Sequence, residues 1–176
     1  MAQSFARGAA LAQPIEAGSM HLVQGGSGVL EAGPLGAGIA LSLHDPVAQV
    51  SGMLHFLLPR RQSPAPSVDP ETLKERSLVY AMDVIPEFLH QALELGAQRE
   101  RTVLCAAGGA GSIGDHGEFQ IGRRNLAMLH KLLLRASIRL AAKAVGGTRA
   151  RTLQLSLVDG TVRVLCAGVE KVLWRP

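Results

Sequence analysis

Alternation of apolar and polar side chains is clearest near the end of the chain. Leu153, Leu155 and Leu157 alternate with Gln154 and Ser156, the period of a half-buried strand. Asp159-Gly160 supplies a hairpin turn, and Val162 and Val164 continue the alternation beyond it. Earlier, two largely apolar runs, Ile39 to Leu43 and Ala48 to Leu57, flank Asp45-Pro46. Both are rich in residues that suit strands, and the turn between them predicts a buried hairpin. Met20 to Gln24 and Val29 to Ala32 read as shorter strands separated by Gly25-Gly26-Ser27-Gly28. Thr102 to Ala107 reads as a buried strand, and Ile138 to Val145 is strand-like.

Elsewhere the period changes. From Glu71, Leu78, Met82, Ile85, Leu89 and Leu93 recur at helical spacing and predict one apolar face. Pro86 is expected to interrupt that helix, and Gly96 to stop it. A second helix is expected from Ile121, with Leu126, Leu129, Leu132 and Leu133 as its buried stripe. Between the hairpin and the first helix, Pro59, Pro64, Pro66 and Pro70 mark an exposed loop. Residues 1–18 show no period and read as a flexible leader, leaving 19–176 as one domain. Hairpins mixed with strand–helix units predict an α+β fold, with helices packed on mixed sheets.

Composition narrows the partners. Hydrophobic residues make up 47% of the chain but aromatic ones only 3%, so the core must be built from Leu, Val, Ala and Ile. A net charge of +4 spread along the chain, with Arg60-Arg61 and Arg123-Arg124 as its densest points, lacks the stacking platform of a nucleic-acid binder. Two cysteines, Cys105 and Cys166, form neither a metal motif nor a disulfide framework, and a reducing, cytoplasmic setting is expected. His21, His44, His90, His116 and His130 show no metal-ligand spacing. No run approaches a membrane span, since His44, Asp45 and His55 break the most apolar region.

The candidate chemistry sits at the edge of the first hairpin. Gly33-Pro34-Leu35-Gly36-Ala37-Gly38 forms a glycine-rich entry, and His55 lies near the end of the second run. By pattern alone this is either a small active site or a buried hairpin with one satisfied histidine. Gly108 to Gly114 lacks the Gly-Lys-Ser/Thr ending of a phosphate-binding loop and reads as a turn. Cys105 and Cys166 each follow apolar residues and read as small buried side chains.

These residues resemble the CheD family of bacterial chemoreceptor glutamine deamidases. Asp45-Pro46, then Gly52 and His55, then Leu58-Pro59 follow the family order. So do Gly108-Gly109-Ala110, Ile121-Gly122 with Asn125, and Gly146-Gly147 with Arg151. The resemblance runs from about Ser19 to near the end. It implies a layered α/β sandwich with mixed sheets, related to cysteine-hydrolase toxin domains. It also implies hydrolysis of a receptor glutamine amide, or of a methyl-glutamate ester, by a cysteine thiolate, with no cofactor or metal. Implied partners are the chemoreceptor cytoplasmic domain and a CheC-like phosphatase.

One departure bears on all of this. Where the family carries its nucleophilic cysteine this chain has Gly38, preceded by Ala37, and the family's active-site threonine falls at Ala32. Gly38 has no atom that can attack, and losing one member of a nucleophile–base unit removes most of its rate. The leading expectation is a catalytically inactive, partner-binding homologue with His55 as a vestige. Gly108, Gly109, Ile121, Gly122, Asn125 and Arg151 either form a binding surface or only shape turns and caps. An active deamidase with unusual catalytic residues, and an interaction protein outside chemotaxis, are the alternatives.

Overall fold

The computed structural model describes residues 12–61, 78–111 and 120–176. In chain order the elements are β1 (Ala12–Pro14), β2 (Ser19–Gln24), β3 (Val29–Leu35), β4 (Ile39–Asp45) and β5 (Val50–Phe56). There follow α1 (Ala81–Glu94), β6 (Val103–Gly108), α2 (Ile121–Arg135), β7 (Ala142–Val145), β8 (Arg151–Ser156), β9 (Val162–Cys166) and β10 (Val169–Trp174). The strands form two mixed sheets, ordered β1-β3-β8-β9-β10 and β2-β5-β4-β6-β7. Within them β1 runs parallel to β3 and β7 parallel to β6, and the remaining neighbours are antiparallel. The fold is α+β, as the mixed periods require.

Burial on both faces of β4 shows how the layers stack. Successive strand side chains point to opposite faces. Ile39, Leu41 and Leu43 pack with Leu54, Phe56 and the helix residues Val84, Ile85 and Phe88. Ala40 instead joins Met53, Cys105, Leu30, Leu153 and Leu155 in a core between the two sheets. The order is therefore sheet, sheet, helices. Every residue of β4 and β5 is buried, which explains why their sequence reads as nearly continuous apolar runs.

The first helix departs from its expected face. Its buried residues are Ala81, Val84, Ile85, Phe88 and Ala92, whereas Met82 is 52% and Leu93 40% exposed. Packing selected the larger Phe88, with small alanines fitting close to the sheet, over the run of long aliphatics. Pro86 does not interrupt the helix, which continues to Glu94. Pro86 lies on the exposed face, where water can satisfy the carbonyl its missing N–H leaves free. The stop at Gly96 holds: Gly96 donates to the Leu93 carbonyl and Ala97 to that of Ala92, a Schellman closure with Gly96 at φ 95°. The expected start near Glu71 lies outside the described residues.

Other boundaries shift for plain reasons. The strand expected over 138–145 is confined to Ala142–Val145, because the chain first has to leave α2 through a turn. In α2 the buried positions are Gly122, Asn125, Leu129 and Leu133, with Leu126 and Leu132 partly buried beside them. Strand β10 was not expected. It is the outer arm of a hairpin whose turn places both Ala167 and Gly168 at positive φ. Residues 12–14, inside the stretch read as a leader, pair with Val29, Leu30 and Glu31.

Candidate functional site

Glycine packing builds one end of the central ladder. After β3, the loop through Gly36-Ala37-Gly38 turns the chain from one sheet into the other. The Gly38 carbonyl accepts a hydrogen bond from the Gly109 N–H at 2.8 Å, and the Gly36 carbonyl one from Ala110 at 2.9 Å. Gly108 has φ 111°, and any Cβ there would collide with the Gly38 carbonyl oxygen. Only glycine satisfies both conditions. Gly122, in the first turn of α2, presses against the Gly109 and Ala110 carbonyls so closely that a Cβ would lie within 2.6 Å of both.

Asn125 clamps this arrangement from the helix. Its Nδ2 donates to the Ala37 carbonyl at 2.9 Å and to the Leu57 carbonyl at 2.8 Å. It thereby joins the loop before β4 to the exit of β5. Because both acceptors are carbonyls, the amide orientation is fixed, and Oδ1 is left buried with no hydrogen-bond partner. Ile121 opens the same helix and is half-buried.

His55 faces the loop from β5, opposite Ala40 and Ser19 in the ladder. A Cβ at Gly38 would lie 3.0 Å from His55 Nε2, and also 3.0 Å from the Phe56 carbonyl oxygen. The Gly38 φ lies outside the left-handed region, so the backbone there accepts an ordinary L residue. Burial holds the His55 pKa below its usual value, against an opposing pull from the Ile15 backbone and the Glu16 carboxylate. The ring is therefore neutral at pH 7, and its Nδ1 has no hydrogen-bond partner.

The other expected residues fall around this centre. Ala32 is fully buried in the layer between the sheets, paired with Leu153, and brings no hydroxyl there. Arg151 donates to the carbonyls of Gly146 at 2.7 Å and Arg149 at 3.1 Å, bracing the Gly146-Gly147 turn. Gly146 in turn donates to Gly108, and Gly111 to Gly147, so Arg151 supports the same end of the fold at one remove. An open groove of about 360 Å³ lies beyond, lined by Gly109, Gly111, Gln120, Gly122, Arg123 and Gly147 among others. Of the Gly108–Gly114 stretch, residues 112–114 lie outside the described residues, as does His116.

Residues 15–18 belong to the site too, although the sequence placed them in the leader. Gly18 donates to the His55 carbonyl at 2.7 Å, and Ile15 and Glu16 act on the ring. No local pattern in that stretch signals it. Cys105 is fully buried, and burial pushes its thiol pKa up to about 11, so it is held as the unreactive thiol. Ser51 is bonded to His44, and Ser42 donates to the Cys105 carbonyl. Among the described residues no His, Cys, Asp and Glu cluster could hold a metal, and no helix is long and apolar enough to cross a membrane. The site thus presents a neutral imidazole aimed at a position without a side chain.

Comparison with known sequences gives one family. The sequence model described as CheD chemotactic sensory transduction matches residues 57–165. A protein of Solibacter usitatus named probable chemoreceptor glutamine deamidase CheD is 39% identical over 145 residues, 82% of this chain and 83% of that one. A protein of Anaeromyxobacter dehalogenans named probable chemoreceptor glutamine deamidase CheD 2 is 41% identical over 131 residues, 74% of this chain and 79% of its own length. One from Syntrophus aciditrophicus, named probable chemoreceptor glutamine deamidase CheD 1, is 31% identical over 134 residues, 76% of this chain and 81% of its own length.

Proposed function

The chain belongs to the CheD family, and from that premise we propose that it is a cytoplasmic chemotaxis protein that has lost the family's hydrolytic chemistry and acts by binding. Its partner on this reading is the cytoplasmic domain of a chemoreceptor, the class named for its relatives, or a CheC-like phosphatase. The observation that carries the reading is the place of Gly38. A Cβ at this position would lie 3.0 Å from the Nε2 of a neutral, buried His55, so any side chain there would start in contact with the imidazole that would take a thiol's proton. On this reading His55 is a vestige of the base, and the residue it would activate is glycine.

The surroundings support retention of a surface. Gly108, Gly109, Gly122 and Asn125 still hold the Gly36–Gly38 loop in a defined path, with backbone contacts that need no catalytic side chain.

Ammonia release from purified chemoreceptor cytoplasmic fragments tests the reading. It is to be compared between this protein and a Gly38→Cys, Ala32→Thr double variant. The expected result is no release by the native chain and release by the variant. Accommodating the new side chain requires Leu57 and the ring to give by a few tenths of an ångström, since Leu57 Cδ2 stands 3.1 Å from the new Cβ. Release by the native chain overturns the proposal in favour of an active deamidase with other catalytic residues. Failure of the native chain to retain either the receptor fragment or the phosphatase in a pull-down overturns the binding role.

A further inference from the structure

Basic residues are spread along this chain, but acidic ones are not. Between Gln120 and Val158 lie eight of the 18 Lys and Arg and none of the 14 Asp and Glu, so this stretch carries +8 and the remainder −4. The fold concentrates part of that charge at the C-terminal end of α2. There an open groove of about 390 Å³ runs between the helix and the entry to β7, lined by Leu133, Leu134, Ile138, Leu140 and Ala142. His130, Arg139 and Lys143 also line it, and Lys131 follows His130 on the helix. Lys131, Arg139 and Lys143 are exposed, and each lacks an ion pair or side-chain hydrogen bond among the described residues. Leu134 stands 80% exposed at the rim, the most exposed of the large hydrophobic residues described.

From this combination we propose that the groove docks an acidic segment of a partner protein that also carries an apolar anchor. The floor is aliphatic and concave, which suits one or two leucine-sized side chains. Arg139 and Lys143, on the wall toward β7, suit carboxylates beside that anchor. Nucleic acid fits less well, because the groove has an aliphatic floor and no Phe, Tyr or Trp to serve as a stacking platform. An anionic bilayer fits less well too, because the apolar surface is recessed, with Leu134 alone standing proud. The groove is also distinct from the Gly38 site. Gly122 and Asn125 engage that site at the first turns of α2, and the helix then runs about 15 Å from Asn125 to Arg135. Binding here does not depend on whether the Gly38 site hydrolyses anything, so the two proposals fail separately.

Fluorescence anisotropy on the full chain tests this. The probe is a labelled amphipathic peptide with leucines at helical spacing and glutamates elsewhere. The comparison probes are its scrambled form, its lysine-for-glutamate form, phosphatidylglycerol vesicles and duplex DNA. The acidic amphipathic peptide is expected to bind best, more weakly as salt rises. An Arg139→Glu, Lys143→Glu variant is expected to lose about tenfold in affinity or more, and Leu134→Ala about fivefold. All three side chains are exposed, so folding is expected to be unchanged, with circular dichroism as the check. Equal binding of the scrambled peptide, indifference to Leu134→Ala, or preference for vesicles or DNA overturns the proposal. So does failure of the acidic amphipathic peptide to bind.

Discussion

The β4–β5 ladder has two ends, and they are finished in opposite ways. At the turn, Asp45 is fully buried, yet its carboxylate is saturated. It accepts from the N–H groups of Val47, Ala48 and Gln98 and from Arg101 at 2.8 Å. One residue away on the strand, His44 is also buried, and its Nδ1 meets Ser51 Oγ at 2.9 Å. At the other end His55 and Asn125 are equally buried and each keeps a polar atom without a partner. The same two strands thus hold one histidine whose Nδ1 is bonded and one whose Nδ1 is not. Buried polar atoms are normally satisfied, so the two ends of this ladder are expected to respond differently when their polar side chains are cut back.

The sharpest way to test that contrast is to break the saturated end. Asp45→Ala strands the Arg101 guanidinium and three N–H groups that now share one carboxylate. The expected loss is about 3 kcal/mol, read from urea denaturation. Acid offers the same test without mutation. Burial by itself would raise the Asp45 pKa, but Arg101 and the backbone donors outweigh it and hold it at about 2, below the ordinary 3.8. A carboxylate depressed in the fold adds stability that is complete above pH 4 and is lost as pH falls toward 2. The amount is about 2 kcal/mol. Asp45→Asn is expected to remove most of that acid dependence. Asp159 keeps a smaller part, since hydrogen bonds from Ser156 and Thr161 hold it low as well. An unchanged acid limb in Asp45→Asn would show that the turn clasp is not what stabilises this end.

Asn125→Ala is the matching cut at the open end and is expected to cost less, about 1 kcal/mol. It deletes two hydrogen bonds to Ala37 and Leu57, but it also removes an Oδ1 that was buried unpaired. The measurement is again a urea midpoint. A loss as large as that of Asp45→Ala would mean that the two ends are equally structural and would dissolve the contrast.

How much of this the sequence disclosed depends on the range of the interactions. The Asp-Pro turn, the β8–β9 hairpin and the Gly96 stop are local, and turn chemistry with short-range alternation reveals them. The face of α1 was misread because the layer beneath it, β4 and β5, decides which residues fit, and Phe88 and two alanines win over Met82 and Leu93. Pattern left the pairing of Gly38 with His55 undecided between a site and an ordinary hairpin, because 17 residues of chain separate them and only the ladder register closes the gap. Nothing in the sequence marks Ile15 to Gly18 as neighbours of that histidine. They reach it through the pairing of β1 with β3 and of β2 with β5, which is purely tertiary information.

The smallest expected effect is the most informative about purpose. His55→Leu replaces a buried imidazole that has no Nδ1 partner with an apolar side chain of similar size. Burial has already made the charged ring unfavourable in the fold. Stability at pH 7.5 is therefore expected to stay level or rise by up to about 1 kcal/mol, because an unsatisfied polar group is removed and the apolar contact is kept. The pH dependence gives an independent check. A histidine whose folded pKa is depressed contributes stability that is complete above 6.5 and is lost as pH falls through the folded value. His44 behaves in the same way, with burial as the dominant cause. The variant is expected to lose only its own share of that decline below pH 6.5, leaving the share due to His44. In the Gly38→Cys, Ala32→Thr background the same substitution is expected to abolish ammonia release while the protein remains folded. A marked loss of stability in His55→Leu would instead make His55 a structural histidine like His44, and the two ends of the ladder would then differ only in bonding detail.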